Sequence, residues 1–419
     1  MKTLHVTNAW HPASGGIRTF YLAMLRAANA AGSAMRLIVP AERGGVEEVG
    51  TWGRIYYVKA PRAPIVDRRY RVLLPHRYLW PRAALQEILR AEQPDLLEVC
   101  DKYALCYLAG VLRRLGVAGV ARPTLVGLSC ERFDDNVAVL GWSSSSVRAL
   151  ARWYMGYVYT PQFDYHLANS DYTAQEIRCA LVPRHTRDVH VVPMGVDADV
   201  FGPEHRSGGL REEWSSRLAA PLDAVYVLYA GRLAREKHLA RLIGMLEQLP
   251  DHAARRVRLV VAGDGPHAPA LREAAAARVP GRVLFWGHVA DRHALAAFYA
   301  SADAFVHPNP REPFGIGPLE AMASGLPVIV PNAGGVLSYA SLENAWLAAP
   351  TDRGLATALD EMLRAPVERA ARVEAARLTA ERFAWPQVTA RIFALYHELH
   401  RRRLTVDRTR WAVPLLAHR

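Results

Sequence analysis

Two glutamates, Glu312 and Glu320, bracket a glycine-containing turn in the segment EPFGIGPLE. The turn leads into a predicted helix from Pro318 to Ser324, so the first glutamate lies in a loop and the second early on the helix. A carboxylate can accept hydrogen bonds from two vicinal hydroxyls, as a ribose presents, and the free N–H groups near Gly317 and Leu319 favour a phosphate. Compensation of the helix dipole is a second interpretation of Glu320.

Two cations, Arg232 and Lys237, follow a hydrophobic strand pattern in the segment GRLAREK. A planar guanidinium beside a point-charge ammonium suits a diphosphate whose negative charge grows as it leaves. A solvated basic loop is the alternative, and we expect Arg235 to face solvent in either case.

Glycines follow two of the predicted strands. Gly15 and Gly16 precede a helical pattern, where they permit close approach of an anion or simply form a tight turn. Gly263 and Gly265 match G-x-G-x-x-A after a strand, but a dinucleotide site also requires an acid after the next strand. The sequence there reads FWGH, which disfavours nicotinamide binding and leaves another nucleotide open.

Short β-rich runs alternate with helical patterns along the chain, which predicts α/β domains with parallel sheets covered on both faces. Ligands bind such sheets at the carboxyl ends of the strands, where the residues above fall. The predicted strands are Leu4–Ala9, Arg36–Val39, Ile55–Lys59, Asp95–Val99, Thr124–Leu128, His166–Asn169, Val189–Val192, Val225–Ala230, Arg258–Ala262, Val283–Trp286, Ala304–His307, Pro327–Val330 and Ala345–Leu347.

The 419 residues are enough for two domains, and the pattern of strands and helices restarts after a polar stretch, Gly202–Ser216. We therefore expect two similar doubly wound domains with a cleft between them, residues 1–200 and 201–384. Residues 385–419 follow as a basic amphipathic helix.

The net charge of +12 favours an anionic partner, and no nucleic-acid-binding motif is present. Residues 62–82 suit a lipid headgroup interface, or else form a solvated face or the rim of a site. Their arginines alternate with aromatic and aliphatic residues: Arg62, Arg68, Arg69, Tyr70, Arg71, Leu73, Leu74, Arg77, Tyr78, Leu79, Trp80 and Arg82.

The four cysteines show neither a disulfide framework nor zinc-ligand spacing, which favours a reducing cytoplasm. The first residues are too polar for the core of a signal peptide, and no apolar run predicts a transmembrane helix. We expect a cytoplasmic protein, at the inner face of the membrane if residues 62–82 contact lipid.

Taken together, the motifs run through nearly the whole chain in the order of one family. The sequence resembles the retaining GT-B glycosyltransferases of family 4. The segments that carry the resemblance are Gly15-Gly16, Asn169-Ser170, Val192 to Asp197 with Phe201, Gly231-Arg232 with Lys237, Gly263 to Gly265, Gly287-His288 and Glu312 to Val328.

The resemblance implies a role for each matched residue. Arg232 and Lys237 would hold the donor diphosphate and neutralise the leaving group, Glu320 would bind the ribose, and Glu312 would touch the transferred sugar. Gly16 would lie against the donor phosphates from the opposite domain. The remaining implied donor-binding residues are Gly15, Gly263, Gly265, His288, Phe314, Gly315, Ile316, Gly317 and Leu319.

The family also implies a GT-B fold, with two Rossmann-like domains facing across a cleft and a last helix that crosses back to the first domain. Such a hexosyltransferase would need no metal and no cofactor besides its nucleotide-sugar co-substrate. The segment Asp197-Ala198-Asp199 is then not a metal-binding motif. A departing phosphate oxygen would serve as the base, and Glu312 as a nucleophile is the minority view.

One segment departs from the family pattern. Many relatives carry a His-Asp or similar pair where this chain reads Ser129-Cys130-Glu131-Arg132. The acceptor-side candidates are therefore Cys130, Glu131 and Asp134, and Glu131 either contacts the acceptor or pairs with Arg132.

The segment Glu312–Pro350 looks closer to bacterial mannosyltransferases than to sucrose or starch synthases. GDP-mannose is the first choice of donor and a UDP-hexose the second, with a glycan, a lipid-linked molecule or a small molecule as acceptor. Two other classes stay open: a nucleotide-sugar epimerase or hydrolase of the same fold, and a non-catalytic nucleotide-sugar-binding scaffold.

Overall fold

A computed structural model of the chain describes residues 1–11, 15–63, 70–80, 82–139, 145–181 and 188–412. The chain divides into two compact units. The first unit comprises Met1–Val192 and Pro386–Arg419, and the second comprises Pro193–Trp385. The chain therefore first passes between units after residue 192, whereas the sequence places that boundary after residue 200.

The first unit is built on an eight-stranded sheet with the order β3-β4-β2-β1-β5-β6-β7-β8. All neighbouring strands are parallel except β3 and β4. The strands are β1 (Thr3–Thr7), β2 (Met35–Ala41), β3 (Gly45–Val49), β4 (Gly53–Lys59), β5 (Leu96–Cys100), β6 (Thr124–Ser129), β7 (Tyr165–Ala168) and β8 (Val189–Val191).

The second unit is built on a six-stranded parallel sheet with the order β11-β10-β9-β12-β13-β14. Its strand order reverses at β9, as in doubly wound sheets. The strands are β9 (Val225–Ala230), β10 (Val257–Ala262), β11 (Val283–Gly287), β12 (Ala304–Val306), β13 (Val328–Pro331) and β14 (Trp346–Ala348).

Amphipathic helices pack against both sheets and bury their apolar residues in the cores of the two units. Among the described residues, no helix combines the length and the apolar composition needed to span a bilayer. The helices are α1 (Gly16–Ala30), α2 (His76–Leu79), α3 (Ala84–Glu92), α4 (Cys106–Arg114), α5 (Phe133–Val139), α6 (Ser145–Trp153), α7 (Asp171–Ala180), α8 (Gly208–Leu218), α9 (Ala240–Glu247), α10 (Asp251–Ala254), α11 (Ala268–Arg278), α12 (Arg292–Ser301), α13 (Ile316–Ala323), α14 (Asp352–Arg364), α15 (Pro366–Arg382) and α16 (Trp385–Ala412).

The prediction of two doubly wound α/β sheets is confirmed, and all thirteen predicted strands are present to within two residues at each end. The strand β3 was missed. Its residues are exposed or nearly so and include Glu47 and Glu48, so it lacks the apolar run that marked the other strands. It is an edge strand held by antiparallel pairing with β4.

The polar stretch Gly202–Ser216 contains the first nine residues of α8, beginning at Gly208. Trp214 in this stretch is fully buried and packs edge-on against Tyr226 of β9. The stretch is therefore packed against the second sheet, although its composition is that of a linker.

The last helix, α16, belongs to the first unit from Pro386 onward. Its Tyr396 hydroxyl donates to Oε2 of Glu98 in β5, and His400 Nδ1 lies 2.9 Å from Oγ1 of Thr124 in β6. These buried polar contacts fix the helix to the first sheet.

Candidate functional site

The loops at the carboxyl ends of the second sheet are tied together by backbone hydrogen bonds. The N–H of Gly231 donates to Ala262 at 3.0 Å, and the N–H of Gly263 donates to Gly287 at 2.7 Å. Gly263 has φ +155°, and a Cβ there would lie 1.9 Å from the carbonyl oxygen of Gly231. Packing between neighbouring loops therefore already requires glycine at position 263.

The two predicted cations lie on the loop that follows β9. Lys237 Nζ lies 2.9 Å from Oε1 and 2.8 Å from Oε2 of Glu312, so the structure joins two residues 75 positions apart. Arg232 pairs with Glu236 on the same loop. Arg235 is exposed, as the sequence predicted.

Glu312 is the centre of the site. It is 8% exposed, and its Oε2 accepts a hydrogen bond from Asn309 Nδ2 at 3.0 Å and lies 3.2 Å from Nε2 of His307. Burial would raise the pKa of Glu312, but the positive charge of Lys237 and the hydrogen bond to His307 outweigh burial and hold that pKa well below its ordinary value. The carboxylate is therefore ionised and preorganised.

Sequence reasoning missed His307 and Asn309 as members of the site. Both lie within three residues of the carboxyl end of β12, and both are buried. Position at a strand end was the available signal, since that rule had already selected the other residues of the site.

The loop after β13 contacts the backbone of Glu312. The N–H of Gly335 donates to the carbonyl oxygen of Glu312 at 2.7 Å. A Cβ at position 335 would lie 1.8 Å from the carbonyl oxygen of Pro313, so only glycine permits this approach. Gly315, with φ +87°, begins the turn into α13, and its carbonyl oxygen accepts a hydrogen bond from the Tyr339 hydroxyl.

Glu320 lies on α13 and is partly buried. Its Oε2 accepts a hydrogen bond from the Tyr299 hydroxyl at 2.9 Å. Burial raises the pKa of Glu320 to about 7, against the opposing effects of the Arg292 charge and the Tyr299 hydrogen bond. Two glutamates in one segment thus have opposite shifts, because Lys237 contacts only Glu312.

The other predicted residues of this segment contribute differently. The side chains of Phe314 and Leu319 are buried, and Phe314 packs against Tyr339 with ring centroids 5.2 Å apart. Neither side chain is therefore open to a ligand. Ile316 and Gly317 form the first turn of α13, where N–H groups lack partners within the helix.

Two further predicted residues lie at neighbouring strand ends. His288 is exposed directly after β11. Gly265 packs against Leu233, since a Cβ at position 265 would lie 2.4 Å from the Leu233 carbonyl oxygen. Like Gly263, Gly265 is explained by loop packing alone.

In the first unit, Gly15 and Gly16 lie at the start of α1, after β1. Both are exposed, and a Cβ at Gly15 would meet no atom of the described residues within 4 Å. The glycine at position 15 is thus not required by packing against the described part of the chain, which leaves room for an approaching group.

The three acceptor-side candidates of the first unit differ in their surroundings. The Cys130 thiol is buried, and a hydrogen bond to Cys100 together with burial raises its pKa. Asp134 is paired with Arg132, whose Nε lies 2.9 Å from Oδ1 and whose Nη2 lies 2.6 Å from Oδ2. The alternative pairing of Arg132 with Glu131 is therefore not what the structure contains.

Glu131 instead lies beside Tyr103. Burial raises the pKa of Glu131, and a hydrogen bond links its side chain to the Tyr103 hydroxyl, which also accepts from Asn136 Nδ2 at 2.7 Å. The Tyr103 ring is about half exposed. The sequence did not mark Tyr103, on the loop between β5 and α4, or Asn136, on α5.

The arginine-rich segment is divided between core and surface. Leu73 and Tyr78 are buried in the core, whereas Leu79 is half exposed and Trp80 is 66% exposed. Arg71 donates to the Ala60 carbonyl and pairs with Glu42. Two of the predicted headgroup contacts, Arg68 and Arg69, lie outside the described residues.

Two family models match the chain. The model described as "Glycosyltransferase Family 4" matches residues 14–200, and "Glycosyl transferases group 1" matches residues 211–379. A GDP-mannose-dependent alpha-(1-6)-phosphatidylinositol dimannoside mannosyltransferase of Mycobacterium tuberculosis is 30% identical over 94% of this chain and 95% of its own length. A GDP-mannose-dependent alpha-mannosyltransferase of the same species is 32% identical over 78% of each chain.

Solved structures share the fold at lower identity. Sucrose-phosphate synthase from Thermosynechococcus elongatus superposes with a TM-score of 0.72 at 19% identity, covering 95% of this chain and 99% of that one. HepE from Anabaena, in complex with UDP, superposes with a TM-score of 0.69 at 17% identity, covering 95% of this chain and all of the other.

Proposed function

Because the chain belongs to glycosyltransferase family 4, we propose that it transfers a mannosyl group from GDP-mannose to an acceptor hydroxyl with retention of anomeric configuration. Two relatives named for GDP-mannose-dependent mannosyl transfer support this donor. The observation that carries the proposal is the preorganised cluster of Lys237, Glu312, His307 and Asn309 at the carboxyl end of the second sheet.

Lys237 is oriented to receive the donor diphosphate. Its ammonium has three protons, of which two are directed at Glu312, so the third is available to a phosphate oxygen. The Arg232 guanidinium adds a second positive charge from the same loop. Together they neutralise the charge that grows on the leaving diphosphate, the task that a divalent metal would otherwise perform.

Glu312 in turn binds hydroxyls of the transferred sugar. Because Lys237 and Asn309 already donate to its carboxylate and His307 lies 3.2 Å away, it serves better as a hydrogen-bond acceptor than as a nucleophile. In the proposed step the bond between the sugar anomeric carbon and the diphosphate breaks. The acceptor oxygen bonds to that carbon on the same face, and the acceptor proton passes to the departing phosphate oxygen. Catalysis then consists of positioning and charge stabilisation.

Glu320 is assigned to the ribose. An ionised carboxylate accepts both ribose hydroxyls, so nucleotide binding favours the ionised form of a group whose pKa lies at about 7. Binding at pH 7 therefore releases roughly half a proton per site. Calorimetry of GDP binding in buffers of different ionisation enthalpy measures this release. A Glu320→Ala protein with unchanged affinity and unchanged proton release would contradict the assignment.

The acceptor is proposed to bind beside Glu131 and Tyr103 of the first unit. An exposed aromatic ring next to a carboxyl group is suited to a hydroxylated ring, with the aromatic face against its C–H groups and the carboxyl group accepting from its hydroxyls. A relative named for a phosphatidylinositol dimannoside favours a lipid-linked acceptor over a soluble one.

A peripheral contact with anionic membrane, at the inner face, follows from the same proposal. Trp80 is exposed in the arginine-rich segment. Trp153 and Tyr157 are also exposed, stack with centroids 6.2 Å apart, and adjoin the exposed Arg152. Exposed aromatics beside arginines are typical of headgroup interfaces.

Incubation with radiolabelled GDP-mannose, UDP-glucose and UDP-galactose tests the activity. Label transferred to a lipid or glycan supports the proposal, and GDP is expected to raise the melting temperature more than UDP does. Altered free sugar would instead identify an epimerase or hydrolase, and binding without turnover would identify a scaffold. An Arg232→Ala protein within about threefold of wild-type turnover would contradict the leaving-group role, since tenfold corresponds to about 1.4 kcal/mol.

Co-sedimentation with phosphatidylglycerol-containing liposomes tests the membrane contact. We expect salt-sensitive binding that weakens in Trp153→Ser, while Trp52→Ser, an exposed tryptophan far along the sequence, serves as the matched control. Binding that is absent at low salt, or equal for the two variants, would contradict the proposed surface.

A further inference from the structure

A cleft lies at the amino end of the sheet in the second unit. Its volume is about 700 Å³, and its walls include residues that directly precede strands: Asp223 before β9, Arg256 before β10, Asp303 before β12 and Pro327 before β13. Because these strands are parallel, the cleft lies at the opposite end of the sheet from Lys237 and Glu312. It is therefore distinct from the proposed donor site.

The cleft carries excess positive charge. Its charged lining residues are Arg206, Arg211, Arg256, Arg369, Asp223 and Asp303. Arg211 Nη1 lies 3.0 Å from Oδ1 of Asp303, and Arg256 Nε lies 2.6 Å from Oδ2 of Asp223. Within each pair the positive and negative charges cancel. The guanidinium groups of Arg206 and Arg369 are therefore in excess over the carboxylates of the cleft.

The remaining two arginines, Arg206 and Arg369, have no carboxylate within 3.5 Å among the described residues. Arg369, on α15, is partly buried, and its side chain forms no hydrogen bond or ion pair with any residue that the structure describes. Arg206 donates from Nη1 to the Ala300 carbonyl oxygen at 3.4 Å and lies 3.6 Å from Asp303, which is already paired with Arg211 at 3.0 Å; the rest of its guanidinium faces solvent. A guanidinium that is partly removed from water without a partner favours a phosphate, which it binds through two parallel hydrogen bonds.

The cleft also has an apolar wall. Leu222 is fully exposed at its edge, and Leu363 and Val373 line it. A volume of this size matches the clefts that bind small molecules. We propose that the cleft binds a phosphorylated small molecule, with the phosphate between Arg369 and Arg206 and the carbon portion against Leu222.

Phenyl phosphate is a suitable probe because it carries both a phosphate group and an apolar ring. Inorganic phosphate carries only the phosphate group. Both are titrated by calorimetry into full-length protein saturated with GDP, so that the donor site is occupied. We expect Arg369→Ala to weaken phenyl phosphate binding by about tenfold, and Arg206→Ala to act similarly. Arg353→Ala, which removes an exposed arginine of α14 away from the cleft, leaves the affinity unchanged.

Two further comparisons make the result unambiguous. Leu222→Ser weakens phenyl phosphate but not inorganic phosphate, because only the former contacts the apolar wall. Lys237→Ala keeps phenyl phosphate binding, which separates this cleft from the donor site even if GDP does not bind. Absence of phenyl phosphate binding to wild type, or equal affinities of wild type and Arg369→Ala, would overturn the proposal.

Discussion

Glu98 in the first unit and Glu312 in the second are both buried glutamates with several polar partners, yet their surroundings differ. Glu98 lies in the middle of β5 and is 0% exposed. Its Oε1 accepts from the Tyr21 hydroxyl at 3.0 Å and contacts His5 Nδ1 at 2.9 Å, and its Oε2 accepts from the Tyr396 hydroxyl. All of these partners are fully enclosed within the first unit.

Glu312 lies instead in a loop beyond the end of β12. Its partner Lys237 is partly exposed and keeps one proton that is not directed at Glu312. The comparison shows that burial and satisfied hydrogen bonds do not by themselves mark a functional site. A hydrogen-bond network whose members are all buried stabilises the fold. A network that includes a partly exposed charge near a strand end is available to a ligand.

The largest effect is expected from Glu98→Ala. Removing the carboxylate leaves the buried groups of His5, Tyr21 and Tyr396 without their acceptor, which should lower the free energy of unfolding by about 3–5 kcal/mol. Urea denaturation measures the change, with Glu47→Ala on the exposed strand β3 as the matched control. If Glu98→Ala lowered the free energy of unfolding no more than Glu47→Ala does, the Glu98 network would not stabilise the fold, and the contrast with Glu312 would fail.

Lys237→Ala is expected to lower activity and, because the buried Glu312 loses its ion-pair partner, stability as well. Loss of the charge on the leaving group should lower kcat/KM by about 10²–10³-fold, or about 3–4 kcal/mol. Lys59→Ala, which removes an exposed lysine of the first unit, should leave kcat/KM unchanged. Steady-state kinetics with the proposed donor, GDP-mannose, measures the change, and a decrease below tenfold would show that Lys237 does not act on the reaction.

Tyr396→Phe tests one contact of the Glu98 network. The substitution keeps the ring but leaves Oε2 of Glu98 without its donor from α16. We expect a loss of about 2 kcal/mol in the free energy of unfolding, smaller than for Glu98→Ala because the other partners remain. Tyr157→Phe, at an exposed position, is the control, and equal stability of the two variants would argue against the network.

The smallest effect concerns Glu320 and pH. Its pKa is raised to about 7 in the folded protein, so the unfolded chain ionises first as pH rises from about 4.5, and folded stability is lost through this interval. Glu320→Gln does not titrate. The free energy of unfolding of the variant should therefore equal that of wild type near pH 4. At pH 8 it should be higher by about 1 kcal/mol, a figure reduced because Glu320 is partly exposed.

Thermal unfolding at several pH values measures this difference, with Glu343→Gln at an exposed position as the control. Glu312 should behave in the opposite sense, since its lowered pKa stabilises the fold above the ordinary carboxyl pKa and that contribution is lost as pH falls. A Glu320→Gln protein with no pH-dependent gain would contradict the shift.

The sequence by itself determined the fold class and placed thirteen of the strands to within two residues at each end. The apolar run Val225–Ala230 was predicted to the residue because a strand buried on both faces must be apolar throughout. It also selected Arg232 and Lys237 on the loop after a strand, and Glu312 and Glu320 because they bracket a glycine-containing turn that begins a helix.

Only the tertiary structure decided which of those residues meet and in what state. Glu312 and Glu320 are the same residue type in one short segment, but Lys237 reaches only Glu312. The pKa of a buried carboxyl group depends on charges within a few ångströms, and these come from residues distant in sequence. For the same reason no local pattern could reveal the Glu98 network, which α16 completes through a contact 298 positions away in the chain.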